Sequence, residues 1–439
     1  MAQAQITLVA SCLFGLEHLL GEEIDALGYR RLKTIDGRVY FEGPVEAIAR
    51  CCLWLRYAER LYLLLGSFHA ESFTELYDGT RALPLSEWIG PEDAFPVKGH
   101  AVKSRLFSIP DCQKIVKKAA VDALGAEYGI VRFAETGAKF QIEFFILRDE
   151  ADIMIDLCGT PLHKRGYRAL AGEAPLRETL AAAVAATARP REDVLFWDPF
   201  CGSGTIAIEA AMLMNHIAPG LLRGFAAEQF DSVPQGLFRR AREQANGERR
   251  RSEFSVYASD IDPQMTALAK KNAAQAGVAD SIKIFCKDAL TIETGGRRGT
   301  IVCNPPYGER MMSPEQVRVL YRRMGEHFSG LDRWQIYILT AAEDFEMLYG
   351  RRADKRRRLY NGMLRCELYQ YFKKQSGKTT PADRAEPRVR AQQTKKKEHR
   401  HETNPKTDHS RACRAFNGIY PCADGSGCGS CGIDNRGHL

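Results

Sequence analysis

The chain has 439 residues, 45% apolar and 27% charged. That length predicts about three domains, and that balance excludes global disorder. No uncharged apolar run approaches ~18 residues, which excludes a membrane-spanning helix. The apolar opening Ile6–Leu16 has no basic residue ahead of it and runs into Glu17, Glu22 and Glu23, unlike a secretory signal. The thirteen cysteines are therefore expected as mostly free thiols in a reducing, cytoplasmic setting. The net charge of +7 is uneven: residues 373–415 hold 13 Lys and Arg against 5 Asp and Glu, a surplus of eight that leaves the rest at minus one.

In chain order, residues 1–65 read as a small α+β unit. Ile6–Ala10 is a strand, Gly15–Leu27 a helix ended by Gly28, Val39–Phe41 a strand and Pro44–Trp54 a helix. A second unit spans residues 66–165. Its helical stretch Phe73–Trp88 is interrupted by Pro84; a strand, Phe95–Val102, and a helix, Asp111–Leu124 capped by Asp111, follow. Phe140–Leu147 and Asp152–Leu157 read as paired strands. Over 166–375 strands and helices alternate: strands Val194–Trp197, Phe254–Ala258, Ile282–Phe285, Gly299–Cys303 and Gln335–Leu339, with helices Thr205–Met214 and Pro263–Ala276. That alternation predicts an α/β, doubly wound, mainly parallel sheet. Residues 376–412 are basic and polar and read as a disordered linker. Residues 413–439 form a cysteine-rich knuckle.

Four strand-end motifs carry the chemistry. In Asp198-Pro199-Phe200-Cys201-Gly202-Ser203-Gly204-Thr205, Gly202 and Gly204 let the backbone turn tightly between strand and helix. The third glycine of a dinucleotide fingerprint is absent, with Ala207 in its place. Asp198 would repel a pyrophosphate but can hold an ammonium, which points to the amino-acid end of S-adenosylmethionine. Asp260, closing the next strand, can accept both hydroxyls of a ribose. The long spacing from Asp198 fits an insertion over 215–252, whose clusters Arg239–Arg242 and Arg249–Arg251 make either a solvated face or an RNA-facing loop. Asp288 can accept from an adenine amine.

Asn304-Pro305-Pro306-Tyr307 follows the fourth strand. A nucleobase amine is a poor nucleophile, because its lone pair is delocalised into the ring. The Asn304 side-chain carbonyl and the Pro305 backbone carbonyl can accept its two hydrogens as it attacks. The prolines remove competing donors and stiffen the turn, and Tyr307 can stack on the base. Direct displacement at a methyl needs positioning more than a strong base.

At these residues, DPFCGSGT, SDID, KDA and NPPY in order, the chain resembles class I S-adenosylmethionine-dependent methyltransferases acting on nucleobase amines. Gly166-Tyr167-Arg168 and Ala174-Pro175-Leu176-Arg177-Glu178 resemble the segment preceding the first motif in the RNA-acting branch. Phe14-Gly15-Leu16-Glu17 and the stretch Ser108–Lys118 resemble its ferredoxin-like plus THUMP front end. The nearest resemblance is to bacterial THUMP-containing 23S rRNA guanine-N2 methyltransferases. It implies a cytoplasmic, monomeric enzyme with no membrane segment, whose partner is ribosomal RNA or an assembling large subunit. It further implies that Asp198, Phe200, Gly202, Gly204 and Thr205 border the methionine part of the cofactor, Asp260 the ribose, Asp288 the adenine, and Asn304–Tyr307 the target base. Two rivals remain at this stage: an adenine-N6 methyltransferase on RNA or DNA, and a non-enzymatic RNA-binding assembly factor.

The C-terminus departs from that pattern. Cys413, Cys422, Cys428 and Cys431 fall within 19 residues beside four glycines. They can close a tetrahedral zinc site, with an iron–sulfur site or free redox thiols as alternatives. His399, His401 and His409 read as solvated linker residues. Lys103, Ser104, Arg105, Lys114, Lys117 and Lys118, with Arg351, Arg352 and Lys355–Arg358, are candidate phosphate contacts. His18 reads as a surface or packing residue.

Overall fold

Apolar alternation builds the first half. The computed structural model describes residues 5–168, 176–307, 312–331 and 333–372. The expected linker, the cysteines 413, 422, 428 and 431, and Ala174 and Pro175 lie outside those residues. First come β1 (Ile6–Cys12), α1 (Glu17–Ala26), β2 (Arg30–Ile35), β3 (Arg38–Gly43), α2 (Glu46–Trp54) and β4 (Ala58–His69). Then follow α3 (Phe73–Arg81), β5 (Val97–Val102), α4 (Ile109–Tyr128), β6 (Ile142–Leu147) and β7 (Glu150–Asp156). All seven strands share one sheet, in the order β2-β3-β1-β4-β7-β6-β5. Leu8 and Ala10, Val39 and Phe41, Leu61 and Leu63, Ile153 and Ile155 project at every second position into one core with Leu20, Ile24, Ile48 and Val116 of the helices.

The expected division at residue 65 falls inside β4. There the β4–β7 register shifts between Leu64 and Gly66, which marks a bulge. A strand accommodates such a bulge without ending. Asp111 does not cap α4. The helix begins at Ile109, where Pro110 suits the first turn, and Ser108 Oγ donates to Asp111 Oδ2 at 2.6 Å. α3 stops before Pro84 and opens on a capping box of Ser72 and Glu75.

The second half alternates as expected. It holds α5 (Glu178–Thr187), β8 (Leu195–Asp198), α6 (Thr205–Met214), α7 (Leu237–Gly247), β9 (Val256–Asp260), α8 (Pro263–Gln275), β10 (Ile282–Cys286) and β11 (Gly299–Cys303). α9 (Pro314–Ser329), β12 (Trp334–Thr340), α10 (Phe345–Tyr349), β13 (Lys355–Asn361) and β14 (Leu364–Tyr371) complete it. The sheet order is β10-β9-β8-β11-β12-β14-β13, with β8 to β12 parallel and the β13–β14 hairpin antiparallel at the edge. The run Lys355–Arg358, expected among the phosphate contacts, is part of the edge strand β13, where charge also discourages pairing with a second chain.

Residues 215–252 strap the two halves together. Gly220 N donates to Leu53 O at 2.9 Å, and a Cβ on Gly220 would lie 2.7 Å from Cys52 O, so only glycine fits. Phe230 stacks on Phe140 with centroids 3.8 Å apart. Arg223 donates to the carbonyls of Pro161, Thr160 and Lys164. Arg242 pairs with Glu228, while Arg239 is exposed beside Glu243.

Beneath the strap lies a buried polar cluster. Glu209 of α6 is fully buried and faces Arg56 Nη1 at 3.4 Å, Arg165 Nε at 3.5 Å and the Tyr167 hydroxyl at 3.2 Å. Glu23 accepts from the backbone amides of Arg56 and Tyr57. Glu59, also buried, accepts from Thr179 Oγ1 at 2.5 Å and faces His163 and Arg177. The His163 hydrogen bond and charge, with Arg177, outweigh burial and hold the Glu59 carboxyl down at about 2.

The nine cysteines among the described residues are free thiols. No helix among those residues is long and apolar enough to cross a membrane, and no cluster of His, Cys, Asp and Glu among them could hold a metal.

Removing one partner of a buried ion pair strands the other charge. Arg56→Met is expected to cost roughly 3–5 kcal/mol in urea denaturation, whereas Arg239→Ala is expected to stay within about 0.5 kcal/mol. Burial raises the Glu23 carboxyl from 4.5 to about 7. The folded state thus keeps a proton that the unfolded chain releases, and this group makes stability fall as pH rises from 4.5 to 7. Glu23→Gln is expected to flatten that part of the stability–pH curve.

Candidate active site at the strand ends

The C-terminal ends of four parallel strands meet on one edge of the second sheet. Asp198 of β8 lies beside Ala258 of β9, and Asp260 of β9 beside Cys286 of β10. β11 lies on the other side of β8, with Ile301 against Trp197. Strand order reverses there, and ligands bind at such a switch point.

The glycine loop is shaped for a ligand on one side and for packing on the other. Gly202 and Gly204 have φ of +50° and +88°. A Cβ on Gly204 would sit 3.1 Å from Ala269 Cβ of α8, whereas a Cβ on Gly202 would meet nothing within 4 Å. Asp198 is 1% exposed, and its Oδ1 accepts from Phe200 N at 3.2 Å. Burial, with the charge of Asp260 adding to it, raises its carboxyl well above the usual range. A carboxylate so placed is stabilised by an arriving cation. Asp260 braces the loop: Oδ2 accepts from Gly202 N at 2.9 Å and Oδ1 from Asp262 N at 3.0 Å. Its carbonyl accepts from Lys287 N at 3.0 Å, which ties β10 to the same edge. Asp288 Oδ1 accepts from Leu290 N at 2.9 Å.

The loop is also held from outside its own motif. Arg168 Nη2 donates to Thr205 Oγ1 at 2.7 Å and to Leu176 O at 2.9 Å. Asn272 of α8 is buried and donates to Ser203 O at 2.9 Å. These features fit the cofactor expected from the sequence: a buried carboxylate for an ammonium, an open face at Gly202, and carboxylates at the next two strand ends.

β11 delivers Asn304–Tyr307 to the same edge. Tyr321 of α9, buried, donates to Pro306 O at 2.8 Å and accepts from Thr340 Oγ1 of β12 at 2.9 Å. The Tyr307 hydroxyl engages the side chains of Asn304, Asn361 and Cys366, and burial raises its pKa to about 12. Asn304 Oδ1 is buried and has no hydrogen-bond partner among the described residues. Leaving a buried acceptor unpaired costs ~1–3 kcal/mol, and this oxygen can accept a further hydrogen bond.

The motif residues thus come together as the sequence suggests. Tyr321, Thr340, Asn361 and Asn272 were not singled out, because each acts from another element and has no local signature. Among the basic candidates, Lys117 donates to Glu135 and to Phe95 O and Arg105 to Glu71. Lys103 and Lys114 are exposed. His18 is exposed beside Glu22.

Comparison with known proteins agrees with this arrangement. Residues 165–370 match the RMKL-like methyltransferase domain, 7–62 the RlmL ferredoxin-like domain and 70–156 the THUMP domain. The chain is 44% identical over 374 residues to YpsC of Bacillus subtilis (strain 168), whose name assigns it provisionally to the RNA methyltransferases; the match covers 84% of this chain and 96% of that one. It is 34% identical over 370 residues to the ribosomal RNA large subunit methyltransferase K/L of Legionella pneumophila (strain Lens), covering 83% of this chain and 52% of that one. The chain therefore spans about half the length of that relative. Two solved structures are similar throughout. One, from Listeria monocytogenes str. 4b F2365, is described as a predicted N6-adenine-specific DNA methylase: TM-score 0.80, 43% identity, 84% of this chain and 97% of that one. The other, SMU.472, provisionally a methyltransferase, was solved with SAH: TM-score 0.79, 39% identity, 85% of this chain and 100% of that one.

Left-handed backbone with a Cβ costs roughly 1–2 kcal/mol. Gly204→Ala adds the close contact with Ala269 to that strain, and Gly202→Ala does not. Urea denaturation is expected to show the larger loss for Gly204→Ala.

Proposed function

We propose that this chain, which belongs to the THUMP-containing RMKL-like methyltransferase family, transfers a methyl group from S-adenosylmethionine to the exocyclic N2 amine of a guanine in 23S ribosomal RNA. The observation that carries the reading is the unpaired, buried Asn304 Oδ1 at the switch point. S-adenosylmethionine, when bound, supplies an electrophilic methyl on a sulfonium. Asp198 holds the amino-acid end, the open backbone at Gly202 admits it, and Asp260 and Asp288 take the ribose and adenine. Asn304 Oδ1 and the Pro305 carbonyl would accept hydrogen bonds from the two amine hydrogens, localising the nitrogen lone pair for in-line attack; the methyl–sulfur bond would break to leave a neutral thioether, and the methylated nitrogen would lose one proton to water. Tyr321 fixes the loop by holding the Pro306 carbonyl. Tyr307, tied by its hydroxyl, presents its ring to the base.

The name of the Legionella relative supports the large-subunit RNA substrate, and the THUMP match supports RNA over a small molecule. The amine-gripping loop suits adenine N6 as well, and the description of the Listeria structure favours that second reading. Nucleoside mass spectrometry of rRNA from cells with and without the gene decides: N2-methylguanine is expected to disappear, and loss of N6-methyladenine instead would replace guanine by adenine. Asn304→Ala is expected to lower methyl transfer by about 10²–10³-fold while RNA and cofactor binding persist; undiminished transfer would remove Asn304 from its role. Asp198→Asn is expected to weaken cofactor binding about tenfold or more, the worth of a charge-assisted hydrogen bond, in calorimetric titration.

A further inference from the structure

We propose that one face of the β13–β14 hairpin seats the RNA strand flanking the target nucleotide, with Arg356, Arg358 and Arg365 binding its phosphates; this rests on the methyltransferase reading above. Directly opposed residues of an antiparallel pair share a face. Arg356 opposes Tyr369, Arg358 opposes Glu367 and Tyr360 opposes Arg365, so the three arginines stand on one side. Together with Thr340–Glu343 they line a cleft of about 660 Å³. Their side chains are 55%, 47% and 54% exposed. Arg357, between two of them, points the other way and donates to Gly15 O at 2.7 Å.

Internal pairing does not exhaust these guanidiniums. One oxygen of Glu367 faces Arg358 Nε at 3.5 Å and Arg365 Nη2 at 3.1 Å, and Glu346 faces Arg356 at 3.5 Å. A guanidinium has five N–H donors. The shared Glu367 oxygen holds Arg358 and Arg365 in register, Glu346 holds Arg356, and the rest of each fork is left for a phosphate, whose bidentate geometry it matches.

One wall of the cleft is bonded through Tyr321 to the target-base loop: Thr340, in that wall, bonds Tyr321, which holds Pro306. Asn361 and Cys366 engage Tyr307 from the other face of the hairpin, the one Arg357 takes, and so tie the hairpin to the loop from behind. Neighbouring strands lie ~4.8 Å apart, so β13, three strands from β11, places its arginines ~15 Å from Asn304. A strand whose base enters the crevice passes over this face.

The test uses the full-length protein with deproteinised 23S rRNA from cells lacking the gene as probe. Arg356→Gln/Arg358→Gln/Arg365→Gln is expected to weaken RNA binding about tenfold at 150 mM salt and to lower the slope of log affinity against log salt by about 2, at ~0.7 per single-stranded phosphate contact. KM for RNA rises while kcat at saturation and calorimetric cofactor binding hold. Glu367→Gln, which frees two arginines, is expected to tighten RNA binding about threefold. Wild-type affinity and salt slope in the triple variant, or weaker binding by Glu367→Gln, would overturn the proposal. So would a loss confined to assembling subunits with naked RNA unaffected, which would assign the cleft to an acidic protein. Binding is read apart from product identity: a wild-type protein that binds RNA but makes no methylated base sinks the earlier reading, not this one.

Discussion

A single carboxylate sealed from water sets the relation between the halves of this molecule. Glu209 projects from α6, the helix that the glycine loop opens, and meets Arg56 of the first half with Arg165 and Tyr167 of the connection. An ion pair at that depth adds little net stability over an apolar substitute, because desolvating both charges offsets their attraction. Its strength lies in geometry, since any shift of the front half strands a charge. The cofactor loop and the front end therefore sit in one fixed relation. The strap over 215–252 reinforces it through backbone hydrogen bonds at Gly220, Ala226 and Ala227.

The same logic recurs at the strand ends. Asp260 occupies both of its oxygens with backbone amides of two different turns, and Tyr321 places its hydroxyl between Pro306 and Thr340. Each reacting loop is thus tied down by a polar side chain from a neighbouring strand or helix. Preorganisation of this kind matters most for a transfer that lacks a strong base, where rate comes from holding nucleophile and methyl in line. Among the described residues Asn304 Oδ1 stays unpaired, and the buried Asp198 carboxylate accepts from Phe200 N alone.

Charge is divided by role. Arg223 and Arg242 of the insertion turn inward to carbonyls and to Glu228, and Lys117 turns to Glu135. Arg356, Arg358 and Arg365 of the hairpin keep an outward face. Sequence counts of Lys and Arg cannot separate these groups, because period-two alternation sends Arg357 to one side and Arg356 and Arg358 to the other.

Local chemistry determined much of this protein. Asp198, Gly202, Gly204, Asp260, Asp288 and Asn304–Tyr307 were legible because each sits in a short motif at a strand end, where spacing along the chain equals placement in space. The βαβ alternation was legible for the same reason, apolar runs being bounded by turn residues. Tertiary structure alone decided what depends on distant partners. Gly66 became a bulge because β7 pairs across it, joining two expected units into one sheet. β2, exposed along nearly its whole length, carried no hydrophobic signal. Tyr321, Thr340 and Asn361 acquired roles only when α9, β12 and the hairpin packed around β11. Periodicity records which face a residue takes, not which partner it meets, and burial of charge and closure of a sheet are settled only by the assembled chain.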